Sequence, residues 1–119
     1  MDLSLYGSTG IIGTYFKGLF PAVEVPKEQL EPNTENVLYL ISTTDNQTFR
    51  EDCYVDIETN LIELMRRLEA CRKAQIEVFN FVSSWFVYGP DYTYPDENSV
   101  CNPNGFYSVT KYEIGRAHV

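Results

Sequence analysis

A tyrosine and a lysine near the C-terminus, Tyr107 and Lys111, stand four residues apart, which places both side chains on one face of a helix. An ammonium beside a phenol stabilises the phenolate and lowers the pKa of the tyrosine. Such a tyrosine can donate or accept a proton near neutral pH. Ser84 follows an apolar, strand-like run and can hydrogen-bond the same substrate oxygen. Alone, the Tyr–Lys pair indicates only an exposed helical pair, so these catalytic candidates depend on a second motif.

A glycine-rich turn near the N-terminus supplies that motif, with glycines at positions 7, 10 and 13 between a strand and a helix. The first lets the chain turn sharply, the second lets a pyrophosphate approach the backbone, and the third lets helix and strand pack closely. The anion would lie at the helix N-terminus, where unpaired N–H groups favour negative charge. A tight turn without a ligand is the alternative. The predicted cofactor-binding residues here are Gly7, Ser8, Thr9, Gly10, Ile11, Ile12 and Gly13.

Alternating strands and helices must position these residues. Short apolar runs predict strands at residues 1–6, 22–25, 37–41 and 76–83. Apolar residues at helical spacing predict helices over 11–20, from a cap at Asp56 or Thr59 to Ala74, and from Tyr107 onward. On the second of these helices, the faces outside the apolar stripe carry Arg66, Arg67, Arg72 and Lys73, which favour the carboxyl end of the helix dipole. The alternation predicts an α/β domain with a parallel sheet.

The composition argues against several classes of protein. At 119 residues the chain has room for one domain, and its hydrophobic content of 44% is that of an ordinary globular protein. A net charge of -8 repels nucleic acid and anionic membranes, so neither is an expected partner. The cysteines form no CxxC pair, so neither a metal site nor a disulfide framework is expected. No basic segment precedes the first apolar run, so no signal peptide is expected, and the predicted location is cytoplasmic.

Together these motifs resemble the extended short-chain dehydrogenase/reductases, and among them the NAD-dependent epimerase/dehydratase family. The GxxGxxG spacing, rather than GxGxxG, is typical of this branch. The resemblance extends over nearly all of residues 1–112. It rests on the glycine turn, on the strand and loop Val37–Thr43, on Asn60 with Leu68–Arg72, on Ser84, on Pro95, Glu97, Asn98 and Pro103, and on Tyr107 and Lys111.

The resemblance implies a Rossmann-like, doubly wound parallel sheet that binds NAD or NADP, and usually a nucleotide-diphosphate sugar as substrate. It adds Ser42, Thr43, Asn60, Tyr107 and Lys111 to the cofactor-binding residues, with Lys111 holding the nicotinamide ribose. The implied reaction is that of an epimerase or dehydratase, in which Tyr107 removes a sugar hydroxyl proton. The alternatives are a 4-keto nucleotide-sugar reductase resembling dTDP-4-dehydrorhamnose reductase and a non-catalytic dinucleotide-sensing domain. A homodimer is the expected assembly of the parent protein.

Departures from the family pattern bear on specificity. The second strand of the family ends in an acidic residue that binds the adenosine ribose, whereas Pro26 and Lys27 occupy that place here. Lys27 is a cofactor-binding candidate because it could pair with the 2′-phosphate of NADP, although it could equally be a surface lysine. The connection 27–36 is too short for the family's usual helix and strand. Trp85 and Phe86 replace two small residues after the catalytic serine, and they either line the substrate pocket or fill the core.

The C-terminal residues of the sequence carry a separate expectation. Residues 113–119 break off within a helix, and their last six letters resemble the translation of a common sequencing-adapter sequence. We expect a non-native tail over 113–119, following an incomplete Rossmann domain over 1–112 that is truncated to about four strands and lacks its substrate domain. His118 falls in this tail, so no histidine chemistry is expected. An exposed sheet edge in such a chain would favour aggregation.

Overall fold

The computed structural model describes residues 2–44, 52, 54–90 and 93–116. Its strands are β1 (Leu3–Tyr6), β2 (Val23–Val25), β3 (Asn36–Tyr39) and β4 (Val78–Phe81). Its helices are α1 (Ile11–Leu19), α2 (Tyr54–Ile57), α3 (Glu63–Lys73) and α4 (Phe106–Arg116), with a π-helical segment at Glu58–Ile62 and a 3₁₀ turn at Trp85–Tyr88. Each strand and helix predicted from the sequence overlaps at least one of these elements, although the ends differ.

The four strands form one parallel sheet in the order β2-β1-β3-β4. In its register, Leu5 of β1 pairs with Glu24 of β2 on one side and with Leu38 of β3 on the other. The sheet is therefore built outward in both directions from β1, and the gap between the ends of β1 and β3 is a topological switch point. Open α/β sheets bind ligands outside the carboxyl ends of their strands at such points. The expected Rossmann-like, doubly wound sheet of about four strands is confirmed.

Contacts along the chain divide it into two compact units. The first, which we call the sheet unit, comprises residues 1–41 and 63–82, and the second, which we call the helical unit, comprises residues 42–62 and 83–119. The sheet unit carries the four strands, α1 and α3, whereas the helical unit carries α2, the π-helical segment, the 3₁₀ turn and α4. The single domain over 1–112 and the foreign tail over 113–119 stay predictions, and positions 117–119 lie outside the described residues.

Buried side chains of β1, β3 and α3 form the core of the sheet unit. The rings of Tyr6 and Tyr39 lie 5.7 Å apart between their centroids, and the Tyr6 hydroxyl donates to the Leu30 carbonyl at 2.6 Å. Burial raises the pKa of Tyr39 to about 12. The fully buried apolar side chains of this core are Leu5, Tyr6, Val37, Tyr39, Leu64 and Cys71.

Arg67 of α3 belongs to the same core, since only 2% of its surface is exposed. Its guanidinium pairs with the Glu63 carboxylate one turn earlier and donates to the Lys27 carbonyl at 3.0 Å. It also lies over the ring of Tyr6, 5.9 Å from the ring centroid. Arg67 lies outside the apolar stripe of the helix and is nevertheless buried, because a carboxylate, a carbonyl and an aromatic ring together compensate its charge.

The packing of α1 also differs from its sequence pattern. Apolar residues at helical spacing predict a buried face, yet four large apolar side chains of α1 are exposed and Gly13 is its buried residue. These four are Ile11, Ile12, Tyr15 and Leu19. The helix approaches the glycine turn through Gly13, so its larger side chains point away from that contact. Within the described ranges, no helix combines the length and the apolar character needed to cross a membrane.

The helix predicted to begin at a cap on Asp56 or Thr59 begins earlier, at Tyr54. The Tyr54 N–H donates to Oδ1 of Asp52 at 2.9 Å, so Asp52 satisfies the first turn. Asp56 lies buried inside α2, and Thr59 lies within the π-helical segment. The prediction of a cap at Asp56 or Thr59 is therefore wrong, because an aspartate nearer the N-terminus takes that role.

Candidate functional site

Gly7 opens the glycine turn directly after β1, with a φ of 84°. This left-handed conformation strongly favours glycine. A Cβ at Gly7 would also lie 3.0 Å from the carbonyl carbon of Leu40 and 3.1 Å from the amide nitrogen of Ile41, both just beyond β3. The N–H of Gly10 donates to the Gly7 carbonyl at 3.2 Å and closes the turn. Both conformation and space therefore require glycine at this position.

The other two glycines of the turn have opposite surroundings. A Cβ at Gly13 would lie 2.1 Å from the carbonyl oxygen of Gly7 and 2.8 Å from the Cα of Ser8, so packing alone demands glycine there. A Cβ at Gly10 would meet the Gly7 carbonyl oxygen at 3.5 Å, an ordinary contact. The protein itself therefore leaves room at Gly10, and this is the room that a ligand needs to approach the backbone.

The N-terminus of α1 is suited to an anion. Gly10 is its N-cap, no side chain among the described residues caps this end, and its first turn has no acidic residue. The first N–H groups of a helix lack intrahelical partners, and the helix dipole adds positive potential at this end. Residues 7–13 thus offer backbone N–H groups and the positive end of a helix dipole to an anion, while binding of a dinucleotide pyrophosphate there stays a prediction.

Ser8 of the turn is hydrogen-bonded to the Glu24 carboxylate of β2. This hydrogen bond from Ser8, together with one from Lys17, lowers the pKa of Glu24. The Lys17 ammonium lies 3.0 Å from Oε2 of Glu24. Glu24 was assigned no role from the sequence, because the acidic residue of the family lies at the end of the second strand and Glu24 lies before it. The pairing of Glu24 with Leu5 of β1 places it next to the glycine turn.

Lys27 lies two residues beyond β2 and its side chain is exposed. Its carbonyl accepts the hydrogen bond from the buried Arg67 at 3.0 Å, and the Pro26 carbonyl accepts from the Gln29 N–H at 3.0 Å. The backbone at Lys27 is therefore anchored while its ammonium reaches solvent. Pairing of this ammonium with a 2′-phosphate stays a prediction.

In the helical unit, Tyr107 and Lys111 are both buried on α4, with 7% and 5% of their surfaces exposed. The prediction that they share a helix is confirmed by α4, which begins at Phe106. Burial lowers the pKa of Lys111 to about 8, because the charged amine loses water. A lysine in this state can change its charge at mildly alkaline pH.

Ser84 caps the 3₁₀ turn that follows β4. Its Oγ accepts the N–H of Phe86 at 3.3 Å, and its carbonyl accepts the N–H of Val87 at 3.2 Å. Because Oγ already accepts from the backbone, its own proton is directed elsewhere and can be donated to a substrate oxygen. This geometry suits a residue that orients a hydroxyl or carbonyl group.

Phe86 joins Ser84 to Tyr107. Its N–H binds Ser84, and its ring meets the Tyr107 ring edge-on, with 5.9 Å between centroids. Trp85 makes a similar edge contact with Tyr88 at 6.2 Å. Trp85 is 55% exposed and Phe86 is 46% exposed. Neither ring is buried in a core, so of the two roles considered from the sequence, core packing does not apply. Lining of a substrate pocket by Trp85 or Phe86 stays a prediction.

Asn60 ties the loop after β3 to α4, because all its side-chain hydrogen-bonding capacity is used inside the helical unit. Its Oδ1 accepts the N–H of Thr43 at 2.9 Å and lies 3.2 Å from the Ser42 hydroxyl, which shares its single proton with the Thr43 carbonyl at 2.6 Å. Its Nδ2 donates to Oγ1 of Thr43 at 2.8 Å and to Oγ1 of Thr110 at 3.0 Å. Direct cofactor contacts by Ser42, Thr43 and Asn60 stay predictions, while the contacts present make Asn60 a structural link.

The predicted residues therefore fall into two groups. The sheet unit holds Gly7–Gly13, with Ser8 linked to Glu24, and it holds Lys27. The helical unit links Ser84 to Tyr107 through Phe86, and it links Ser42, Thr43 and Asn60 to α4 through Thr110. Over the ranges that the structure describes, no three histidine, cysteine or acidic side chains meet in an arrangement that could hold a metal ion.

Solved structures similar to this chain share its fold at low sequence identity. RMD from Pseudomonas aeruginosa, complexed with NADPH, has 21% identity and a TM-score of 0.76, with 93% of this chain and 46% of that chain covered. UDP-glucose 4-epimerase from Thermus thermophilus, complexed with NAD, has 22% identity and a TM-score of 0.78, with 98% and 49% covered. A dTDP-4-dehydrorhamnose reductase from Clostridium acetobutylicum has 18% identity and a TM-score of 0.74, with 98% and 48% covered. The chain thus spans about half the length of each.

Sequence comparison defines the family. A search of curated proteins finds no match. The family model of the NAD dependent epimerase/dehydratase family matches residues 30–117, well over half of the chain. This match covers the loop after β3, Asn60, Ser84 and the Tyr107–Lys111 pair, so it includes the catalytic candidates and begins after the glycine turn. The chain belongs to the NAD-dependent epimerase/dehydratase family.

Proposed function

We propose that the protein carrying this chain binds NAD or NADP at the glycine turn and acts as an epimerase or dehydratase on a nucleotide-diphosphate sugar. The observation that carries the proposal is the buried pair Tyr107 and Lys111 on α4. Burial of both groups on successive turns suits a proton-transfer pair better than a solvent-exposed ion pair. Family membership and the room left at Gly10 support the same conclusion.

The side chains would divide the chemistry as follows. When bound, the nicotinamide ring accepts a hydride from a sugar carbon and can return it. The Lys111 ammonium would stabilise the phenolate form of Tyr107, which takes the proton of the sugar hydroxyl at its phenolic oxygen and becomes a neutral phenol. Lys111 would also hold the nicotinamide ribose. Ser84 donates its hydroxyl proton to the same sugar oxygen, since its Oγ already accepts from Phe86.

A 4-keto-sugar reductase is the second candidate, because the same three residues run in reverse would protonate a carbonyl oxygen. The fold similarity to a dTDP-4-dehydrorhamnose reductase favours keeping it. Product analysis separates the two reactions: an epimerase leaves the total amount of reduced cofactor unchanged, whereas a reductase consumes one reduced cofactor per turnover. A non-catalytic dinucleotide-sensing domain would bind the cofactor and show neither reaction.

The choice between NAD and NADP depends on two side chains in the sheet unit. Glu24, held by Ser8 and Lys17, favours NAD, because a carboxylate accepts from a ribose hydroxyl and repels a 2′-phosphate. The exposed Lys27 favours NADP. Titration of Glu24→Gln and Lys27→Ala with both cofactors assigns the preference: the substitution that narrows the affinity difference identifies the residue responsible.

The test of cofactor binding uses the chain itself and isothermal titration calorimetry. Gly10→Val should abolish NAD and NADP binding, since its side chain fills the room left for the pyrophosphate. Because a Cβ at Gly10 meets nothing closer than 3.5 Å, the variant should keep its fold. Gly18→Val is the matched control, because a Cβ at Gly18 has no atom within 4 Å and lies far along α1. Unchanged cofactor affinity in a folded Gly10→Val variant would overturn the assignment of this turn.

A further inference from the structure

Asp56 is a buried carboxylate to which the proposed function gives no role. None of its surface is exposed, and its Oδ1 accepts the hydroxyl of Thr43 at 2.5 Å. Its second oxygen, Oδ2, has no hydrogen-bond partner among the described residues. Burying a carboxylate with one oxygen unpaired costs stability, so its presence points to a role other than stabilising the helical unit.

The hydrogen bond to Asp56 fixes the direction of the bonds that follow. A threonine hydroxyl has a single proton, and Thr43 gives it to Asp56. Oγ1 of Thr43 must therefore be the acceptor toward Asn60, whose Nδ2 donates to it at 2.8 Å. This sets the orientation of the Asn60 amide, because Nδ2 is then the atom that faces α4 and Oδ1 the atom that accepts the Thr43 N–H.

The same series of hydrogen bonds continues into α4. Nδ2 of Asn60 donates its second proton to Oγ1 of Thr110 at 3.0 Å. Thr110 in turn donates its hydroxyl proton to the carbonyl oxygen of Tyr107 at 2.9 Å. Asn60 and Thr110 are both buried, with 2% and 3% of their surfaces exposed. Each donor and acceptor in the series is thus determined by the one before it, from a carboxylate to the backbone of Tyr107.

We propose that Asp56 is a positioning residue, which orients the first turn of α4 around Tyr107 through Thr43, Asn60 and Thr110. The inference rests on the proposed function in so far as Tyr107 is the acid/base. A carboxylate suits this position because, when ionised, it only accepts hydrogen bonds and so permits one direction along the series. Asp56 acts through other residues and contacts neither the substrate nor the cofactor.

The sequence offers a direct probe of the end of this series. Tyr107–Ser108 is the only Tyr-Ser pair in the chain. Labelling with ¹³C-carbonyl tyrosine and ¹⁵N-serine therefore gives a single cross-peak for the peptide bond that carries the Tyr107 carbonyl. Its carbonyl shift reports the hydrogen bond from Thr110 and needs neither cofactor nor substrate, so a failure here is distinguishable from a failure of the proposed function.

The expected result is a coupled response along the series. Asp56→Leu and Thr110→Val should each displace the Tyr107 carbonyl signal, and the double variant should displace it no further than Thr110→Val alone. Asp56→Asn should restore the signal, since its Oδ1 can accept from Thr43. Asp52→Asn is the matched control, because it makes the same change at an exposed helix cap. An undisplaced signal in Asp56→Leu, strictly additive displacements, or failure of Asp56→Asn to restore the signal would each overturn the proposal.

Two further measurements keep the test independent of stability. If Asp56→Leu does not fold, Thr43→Val removes the same link at nearly constant volume, and an undisplaced signal there overturns the proposal. In a hydride-transfer assay of the protein that carries the chain, Asp56→Leu should lower kcat at least ~10-fold while the dinucleotide Kd is unchanged, because misplacing a catalytic group slows chemistry without weakening binding. Equal losses in kcat and in dinucleotide affinity would indicate general disruption and overturn it.

Discussion

The glycine turn of the sheet unit and the Asn60 network of the helical unit are built in opposite ways. The turn depends on the absence of side chains: a Cβ on Gly7 or Gly13 would collide with backbone atoms. The network depends on side chains, since Ser42, Thr43 and Asn60 are held by hydrogen bonds between their own polar groups. The turn therefore presents mainly backbone N–H groups, whereas the network ends at the backbone of Tyr107, the predicted acid/base.

This difference teaches where each unit should be sensitive to substitution. Adding a single methyl group at Gly7 or Gly13 should damage the turn, whereas the network should tolerate changes of volume better than changes of hydrogen-bonding capacity. If the proposals above hold, substitutions in the turn should change folding and cofactor affinity, and substitutions in the network should change the placement of Tyr107. Four substitution experiments can break or sharpen this comparison.

The largest effect is expected for Gly13→Ala. Its Cβ would lie 2.1 Å from the Gly7 carbonyl oxygen, and backbone cannot yield as a flexible side chain does. The free energy of unfolding should fall by about 3 kcal/mol, the upper part of the usual range for overpacking. Urea denaturation measures it. Gly18→Ala is the control and should raise stability by up to ~1 kcal/mol, because it improves helix propensity in open space; equal effects of the two would contradict the description of the turn.

Tyr107→Phe should have the next largest effect, and on turnover rather than on folding. It keeps the ring that Phe86 contacts at 5.9 Å but removes the ionisable oxygen. Hydride transfer by the protein that carries the chain should fall at least ~10²-fold with cofactor still bound. Nicotinamide absorbance follows the reaction. Near-normal turnover would exclude Tyr107 as the acid/base.

The pH dependence of Lys111 should have opposite signs for stability and for activity. Burial lowers its pKa in the folded chain from 10.5 to about 8, so between these values the unfolded state binds more protons. Stability should therefore rise as pH increases from 8 to 10.5. Turnover should instead fall by about tenfold per pH unit above 8, because the ammonium that stabilises phenolate is lost.

A matched variant isolates this titration. Lys111→Arg keeps a positive charge throughout the range, so its turnover, although lower, should lose the alkaline decline. Thermal unfolding and initial rates over pH 7 to 10 give both profiles. A wild-type alkaline decline that persists unchanged in Lys111→Arg would assign the titration to a different group.

The smallest effect is expected for Phe86→Ala. Removing the edge contact with Tyr107 should cost about 1 kcal/mol of coupling between the two rings, as aromatic pairs of this geometry usually contribute. A double-mutant cycle with Tyr107→Ala, followed by urea denaturation, measures it. Trp85→Ala removes a similar ring contact with Tyr88 instead, so it should show no coupling to Tyr107. Zero coupling for Phe86 would mean that its ring does not support the catalytic candidate.

Much of the sheet unit could be predicted because its signals are local. Gly7 follows a strand and precedes a helix, and the apolar runs of β1 and β3 are buried in register. The same local reasoning failed for Arg67 and Asp56. A charged side chain is expected to face water unless partners compensate it, and the partners of Arg67, such as the Lys27 carbonyl, are distant in sequence.

The helical unit was less predictable for a related reason. The role of Asp56 depends on Thr43, thirteen positions earlier, and that of Thr110 depends on Asn60, fifty positions earlier. No periodic pattern in the sequence predicts pairs of residues so far apart. A π-helical segment, Glu58–Ile62, also displaces the face on which Asn60 falls from that of a regular α-helix, and π-helical segments occur frequently at functional sites.

Gly89 lies against Asn102, within the segment that separates Ser84 from Tyr107. Its φ is 86°, and a Cβ there would lie 2.2 Å from the Asn102 carbonyl oxygen, while the Asn102 N–H donates to the Val87 carbonyl at 3.1 Å. The two ends of the stretch between Gly89 and Asn102 are thus joined, whatever its length. Insertions or deletions inside that stretch should therefore leave Ser84 and Tyr107, the two predicted catalytic residues on either side of it, in place.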